Sequence, residues 1–281
     1  MLRIGPAGNS ESFYAEGHQH THEAAKWLHG MGLNAFEYSF GRGVNITPTA
    51  AAKIKQAFEQ CDVQISAHAP YYINFANADA EMVKKSFDYV ARSITAVQAF
   101  GGSRVVFHPA AAAGKDRGEA LKLTLANIDL LLNFLDKEGL DNFILCAETM
   151  GKHNQIGSVD EIIEICKLGD CVYPCFDFGH INSFTGGGLK TKDDYRRILD
   201  NTFARLGSEK TADMHIHFSK IMYGKSGEIR HLDFTDDVFG PYYAPLAQLI
   251  DEYKMTPTVI CESNGTMAED AVTMKACHGR G

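Results

Sequence analysis

The sequence contains no C-x-x-C pair among its seven cysteines, Cys61, Cys146, Cys166, Cys171, Cys175, Cys261 and Cys277, and their number is odd. That pattern argues against a disulfide framework. Cys146, Cys175 and Cys261 sit inside apolar, strand-like runs, so reduced, buried thiols of a cytoplasmic protein are expected. No apolar run approaches the length needed to cross a bilayer. The opening MLRIGPAGNS lacks a charged stretch followed by an apolar one, so no secretory leader is expected. Excess positive charge is also missing. The formal net charge is −8, so any contact with nucleic acid would need metal ions or a local basic patch to offset a repulsive background. No glycine-rich phosphate turn follows the first strand-like run, which argues against an open dinucleotide-binding sheet. Gly186-Gly187-Gly188 falls after a later strand and reads as a flexible loop. Repeats, low-complexity tracts and interdomain linkers are absent.

What is present is an ordinary globular balance of 45% hydrophobic and 22% charged residues over 281 positions. A chain of this length can bury a large core without staples. Short apolar runs alternate with longer helical patterns. Strands are expected at Leu2–Gly5, Ala35–Tyr38, Gln64–His68, Arg104–His108, Asn142–Glu148, Val172–Phe178, Asp213–Phe218 and Thr258–Glu262. Helices are expected near Thr21–Met31, Thr47–Gln60, Asp79–Phe100, Gly118–Glu138, Ser158–Lys167, Lys192–Leu206, Pro245–Lys254 and Ala268–Ala276. Thr47-Pro48 suits an N-cap followed by proline at the first helical position, and Ser158 with Glu161 suits a capping box. Successive strands start roughly 30 to 45 residues apart, one βα unit each. The expected fold is therefore α/β, a (β/α)₈ TIM barrel forming a single domain over residues 1–281. The longest non-helical stretch, Ser219–Tyr243, is expected to be a loop on the catalytic face.

Ionisable residues fall at matching places on that map. His68 and His108 end the third and fourth strands, Glu148 the fifth and Asp177 the sixth, with His180 just beyond. His215 lies in the seventh strand, His231 in the loop after it, and Glu262 ends the eighth. In a barrel those ends converge on one mouth. Carboxylates and imidazoles crowded there would repel or stay unsatisfied, and divalent cations supply the missing charge. Imidazole plus carboxylate without thiolate suits zinc, and also manganese or iron. His217 points to the same side as His215 and could orient a ligand or touch substrate. His18, His20 and His22 form an H-x-H-x-H run best read as a solvated loop.

At these residues the chain resembles the endonuclease IV family of apurinic/apyrimidinic endonucleases, within the xylose-isomerase-like barrels. The resemblance spans nearly the whole chain. It is carried by His68-Ala69-Pro70-Tyr71-Tyr72-Ile73-Asn74, Phe107-His108-Pro109, Glu148-Thr149, Asp177-Phe178-Gly179-His180, Met214-His215, Arg230-His231 and Cys261-Glu262-Ser263. It implies a hydrolase of DNA repair that binds DNA and cuts its backbone 5′ to abasic sites with two or three Zn²⁺ ions. Carried over, His68, His108 and Glu148 would hold the first ion, and Glu148 would bridge to a second held by Asp177, His215 and Glu262. His180 and His231 would help hold a third, and a metal-bound hydroxide would attack phosphorus. Glu148 and Glu262 would also help orient that nucleophile. Two departures stand out. The family's third-metal aspartate, two residues before the loop histidine, is replaced here by Ile229, and neighbouring Glu228 could substitute if the backbone shifts. The DNA-entering segment after the second strand reads Phe36-Glu37-Tyr38-Ser39-Phe40-Gly41-Arg42-Gly43, where Arg42 could reach a phosphate and Glu37 would repel one. Tyr71 and Tyr72 either stack on bases or pack at the rim.

Two other functions compete. A sugar isomerase or epimerase would use one divalent ion held by Glu148, Asp177, His215 and Glu262, with Glu148 and Glu262 as proton-transfer bases. A non-catalytic metal-binding barrel is the third possibility, disfavoured because open mouth sites with free coordination positions are usually catalytic. DNA with abasic sites is the expected partner, a sugar the alternative, and the chain is expected to act as a monomer away from membranes.

Overall fold

The alternation of β-branched runs with amphipathic segments produces a parallel barrel. A computed structural model describes residues 1–41 and 43–279. Its strands, in chain order, are β1 (Arg3–Pro6), β2 (Ala35–Ser39), β3 (Gln64–His68), β4 (Arg104–Phe107), β5 (Ala110–Ala111), β6 (Ile144–Glu148), β7 (Gln155–Ile156), β8 (Val172–Asp177), β9 (His215–Phe218), β10 (Lys220–Gly224), β11 (Gly227–Leu232) and β12 (Thr258–Cys261). The helices are α1 (Glu11–Ala15), α2 (Thr21–Gly30), α3 (Pro48–Gln60), α4 (Ala80–Ala99), α5 (Arg117–Lys137), α6 (Val159–Cys166), α7 (Phe178–Phe184), α8 (Lys192–Ala212), α9 (Tyr243–Glu252) and α10 (Met267–Lys275).

Eight strands form one sheet in the order β1-β12-β9-β8-β6-β4-β3-β2, every pair parallel. The two ends of that order meet. Ala7 bridges Glu37 in parallel register, and the Asn34 amide donates to the Ile4 carbonyl at 3.1 Å. Gly5 makes this seam possible, because a Cβ there would lie 1.7 Å from the Ala35 carbonyl oxygen. The sheet is thus a (β/α)₈ barrel of the expected kind.

Strand alternation sorts the side chains. Phe36, Phe176, Ile216 and Phe218 pack outward against the helix layer in the main core. Inward positions hold a smaller cluster, Val106, Cys146, Tyr173 and Cys175, beneath the mouth. Among the described residues no disulfide joins any of the seven cysteines. Helix starts follow their caps. The Thr47 hydroxyl accepts from the Ala50 amide at 3.2 Å, and Ser158 and Glu161 form the reciprocal capping box.

Three elements depart from expectation. The strand expected to run to Phe178 stops at Asp177, whose carboxylate accepts from the His180 amide at 2.7 Å and so caps α7 directly. The α8 helix continues past Leu206 to Ala212 across a kink at Gly207, whose φ is +79°. The expected loop Ser219–Tyr243 contains the antiparallel hairpin β10–β11, closed by Lys225-Ser226. No helix among the described residues is long and apolar enough to cross a membrane.

Candidate metal centre at the barrel mouth

Six of the eight barrel strands bring a side chain to one cluster at or just beyond their ends, and hydrogen bonds behind His68, His180 and His231 set which nitrogen of each faces inward. His68 donates Nδ1–H to the Ala69 carbonyl at 2.8 Å, so Nε2 faces Glu148 Oε2 at 3.0 Å. His108, one residue beyond β4, brings its Nε2 to the same oxygen at 3.1 Å. His180 donates Nδ1–H to the Thr149 carbonyl at 2.9 Å and turns Nε2 toward Glu228 Oε2 at 3.4 Å. His231 is tied through Nδ1 to the Ser219 hydroxyl at 2.8 Å, leaving Nε2 3.8 Å from Glu228 Oε1. A partner behind one nitrogen and a free lone pair in front is the arrangement by which histidines are oriented on metal ions.

These side chains resolve into three touching groups whose ligand atoms lie within 4.8 Å of one another: His68, His108 and Glu148; Glu148, Asp177, His217 and Glu262; and His180, Glu228 and His231. Glu148 belongs to the first two. The second group corrects the expectation for His215. Its place is taken by His217, whose Nδ1 lies 3.4 Å from both Glu148 Oε1 and Glu262 Oε1. Strand register is the reason: β8 and β9 pair Asp177 with His217, while His215 pairs with Cys175 one layer deeper. There His215 Nε2 lies 3.0 Å from Glu37 Oε2.

The third group contains Glu228, and a β-bulge explains how. In the hairpin, Met222 pairs with Arg230 and Tyr223 with Glu228, so Ile229 has no partner. The extra residue shifts the side-chain parity and turns Glu228 and His231 to the same side. Ile229 points to solvent and is 59% exposed. The hairpin docks on the loop after β6, with the Glu228 amide donating to the Gly151 carbonyl at 3.0 Å. Gly151 leaves the room: a Cβ there would sit 2.8 Å from Glu228 Cβ and 2.9 Å from His180 Cδ2.

The residues fit divalent cations. Glu148, Asp177 and His217 are buried, and Asp177 Oδ2 has no hydrogen-bond partner. Burial pushes the Asp177 carboxyl up, against the pull of His180. Burial also opposes ionisation of Glu148, but His108 and His217 hold its carboxyl well below the usual range. Burial disfavours a charged His68, yet Glu148 outweighs it and raises the imidazole to about 8. The cluster as it stands relies on protonated imidazoles to balance its carboxylates, a role that bound cations fill with better use of the lone pairs.

Above the cluster opens a cavity of about 640 Å³. Tyr71, with its ring centroid 5.5 and 5.4 Å from those of His68 and His108, forms part of its wall, as do Lys152, Gln155 and Asn264. Tyr72 turns away toward Tyr89, with centroids 6.0 Å apart. Arg42 lies outside the described residues. Glu37 does not face a DNA groove: it is 1% exposed, inside the barrel under the cluster. Its neighbours Phe36 and Tyr38 pack outward on Phe58 and Phe100, and that alternation is the sequence signal for an inward Glu37. Lys152 carries no motif and escapes sequence reasoning, because it reaches the cavity through the fold of its loop.

A closed parallel barrel with a ring of His, Asp and Glu at the carboxyl ends of its strands defines a class, the TIM barrels with a candidate metal centre at the mouth. The chain belongs to the xylose isomerase-like TIM barrel family, which it matches over residues 25–277. It is 33% identical over 279 residues to an uncharacterized protein of Methanocaldococcus jannaschii, covering 99% of this chain and 97% of that one. It is 24% identical over 255 residues to the probable endonuclease 4 of Acholeplasma laidlawii, covering 83% of this chain and 84% of that one. Among solved structures, endonuclease IV from Thermus thermophilus superposes with a TM-score of 0.63 at 17% identity, over 92% of this chain and 93% of that one. The 3-keto-D-glucoside 4-epimerase of E. coli superposes with a TM-score of 0.67 at 15% identity, over 98% of each chain. At such identities these two structures establish the shared fold alone.

Proposed function

We propose that this protein is a metal-dependent phosphodiesterase of the endonuclease IV type that cleaves a DNA backbone 5′ to abasic sites. One observation carries the reading: nine side chains form three contiguous ligand groups, with Glu148 common to two. A single-ion isomerase has use for only four of them. When bound, a cluster of divalent ions, zinc being the best match to this donor set, polarises phosphoryl oxygens, lowers the pKa of water and neutralises charge on the leaving oxygen. The chain's own residues do the rest. Asp177, Glu148 and Glu262 place anionic oxygens around the central position. The Ala69 and Thr149 carbonyls keep His68 and His180 in one tautomer. Tyr71 offers a ring at the cavity wall against which a base or sugar can lie, and Lys152 offers a cation to a phosphate.

The test is nicking of a duplex bearing one abasic site, against the same duplex undamaged, in zinc and in manganese. Cleavage confined to the abasic duplex is expected, from protein that carries more than one tightly bound transition-metal ion per chain. Equal treatment of the two duplexes in both metals would remove DNA repair from consideration.

A specific feature favours a second reading, a sugar isomerase or epimerase. Lys152 is the one lysine or arginine among the described residues lining the cavity, on a chain of net charge −8. A cavity of that size and polarity suits a monosaccharide. Glu148 and Glu262 would then flank it as proton-transfer bases. One bound ion per chain with ketose turnover and no cleavage of phosphate esters is its signature.

The third group separates the readings further. Gly151→Ala forces Glu228 and His180 apart and is expected to weaken one ion by about tenfold, the low end for disturbed metal surroundings. Competition with a chromophoric chelator reads this out. Parent-like affinity for every ion would mean that Glu228 and His180 need not approach so closely.

A further inference from the structure

Beneath the central group lies an acid that none of the three ligand groups uses. Glu37 sits on β2 facing inward, and its backbone carbonyl is fixed at the barrel seam by the Gly8 amide at 2.9 Å. The Ser66 hydroxyl donates to Glu37 Oε2 at 2.8 Å, from the residue directly paired with Glu37 across β2 and β3. Glu37 Oε1 then lies 2.9 Å from His217 Nε2, while Oε2 lies 3.0 Å from His215 Nε2. The far nitrogen of His217, Nδ1, is the one that faces Glu148 and Glu262.

We propose that Glu37 is the positioning residue of the mouth, a buried carboxylate that holds the Nε2–H of His217 and thereby dedicates Nδ1 to the central ion. The inference rests on the proposed metal-binding role of the mouth and adds to it the device that selects one histidine nitrogen. A neutral imidazole has one N–H and one lone pair, and the partner of the N–H decides where the lone pair points. His217 is the central group's sole imidazole, and the group behind it is a carboxylate. Behind His68, His180 and His231 stand backbone carbonyls or a hydroxyl, with Glu148 Oε1 also 3.2 Å from His180 Nδ1. An anionic acceptor makes the imidazole a stronger donor to a cation in front of it.

The same pocket offers a rival occupant. Cys175, His215 and His217 have ligand atoms within 4.8 Å of one another, which would allow a second, deeper cation. Cys175 tells the two apart, since only the deeper cation would use it.

The experiment compares parent protein, Glu37→Gln, Glu37→Leu and Cys175→Ser. Zinc affinity is measured by chelator competition, the tautomer of His217 by nitrogen-15 NMR of the zinc-loaded protein, and folding by the thermal transition of the metal-free forms. In the parent, His217 should appear as the Nε2–H tautomer. Glu37→Leu should weaken one zinc ion by about 10- to 100-fold, the range for lost partners of metal ligands. Glu37→Gln keeps the size and an acceptor oxygen, and should recover part of that loss with the same tautomer. Cys175→Ser should bind zinc as the parent does. The proposal is overturned if both Glu37 variants hold every ion with parent affinity, or if Cys175→Ser loses one equivalent. Should Glu37→Leu fail to fold, an Nδ1–H tautomer for His217 in the parent or in Glu37→Gln overturns it equally. Parent protein that binds no ion would instead sink the reading of the mouth as a metal centre.

Discussion

Glu148→Gln is expected to abolish turnover, by about 10³-fold or more, which corresponds to about 4 kcal/mol of barrier. No other side chain among the described residues has as many imidazoles on it. Glu148 Oε2 lies 3.0 and 3.1 Å from His68 and His108, and Oε1 lies 3.2 and 3.4 Å from His180 and His217. Glutamine has the same shape but one acceptor oxygen and no charge. Its amide N–H₂ would point at imidazole lone pairs reserved for cations, so one of the two groups that share this residue loses its anion. The barrel itself should persist, because the end of β6 is held to β8 by backbone pairing and the volume is unchanged. Elemental analysis and turnover on the same preparation provide the check. The expectation holds for a phosphodiesterase and for an isomerase alike, since both need this carboxylate. A variant with parent turnover and a full complement of metal would show that the shared carboxylate is not the hub of the site.

The parts of this architecture legible in the sequence are those set by local pattern. The period of two along each strand and the amphipathic helices between them place the eight barrel strands to within a residue or two, and the ends of those strands locate His68, Glu148, Asp177 and Glu262. What local pattern cannot supply is depth along the barrel axis. His215 and His217 share a face, and only the register of β9 against β8 shows that His217 stands level with Asp177. The bulge at Ile229 is hidden for a related reason. It is a property of the pairing between two strands, and neither strand alone signals which residue is left over. The hairpin itself reads as a loop because its strands are short, carry Lys220, Glu228 and Arg230, and lie against the mouth instead of in the barrel sheet. Glu37 misleads because an acidic residue in a strand suggests a surface, whereas here Ser66 and two imidazoles supply the partners that let it stay buried.

The two histidines of β9 turn that difference of depth into opposite expected phenotypes. His217→Ala removes the nitrogen shared with Glu148 and Glu262, so the protein should lose one metal equivalent and about 10²-fold or more of its turnover, about 3 kcal/mol of barrier. His215→Ala removes a ring that touches Glu37 and no carboxylate of the mouth groups. It should keep its metal and most of its turnover. Its cost appears in folding, because Glu37 is left in the barrel interior with Ser66 and His217 as its remaining partners. A buried polar group that loses a partner costs about 1–3 kcal/mol, read as a lower denaturant midpoint. The pair of variants is thus its own control: two alanines two residues apart on one strand, one acting on chemistry and the other on stability. If His215→Ala sheds a metal ion while His217→Ala retains all of them, the register-based assignment is wrong and the central ion sits a layer deeper than the mouth.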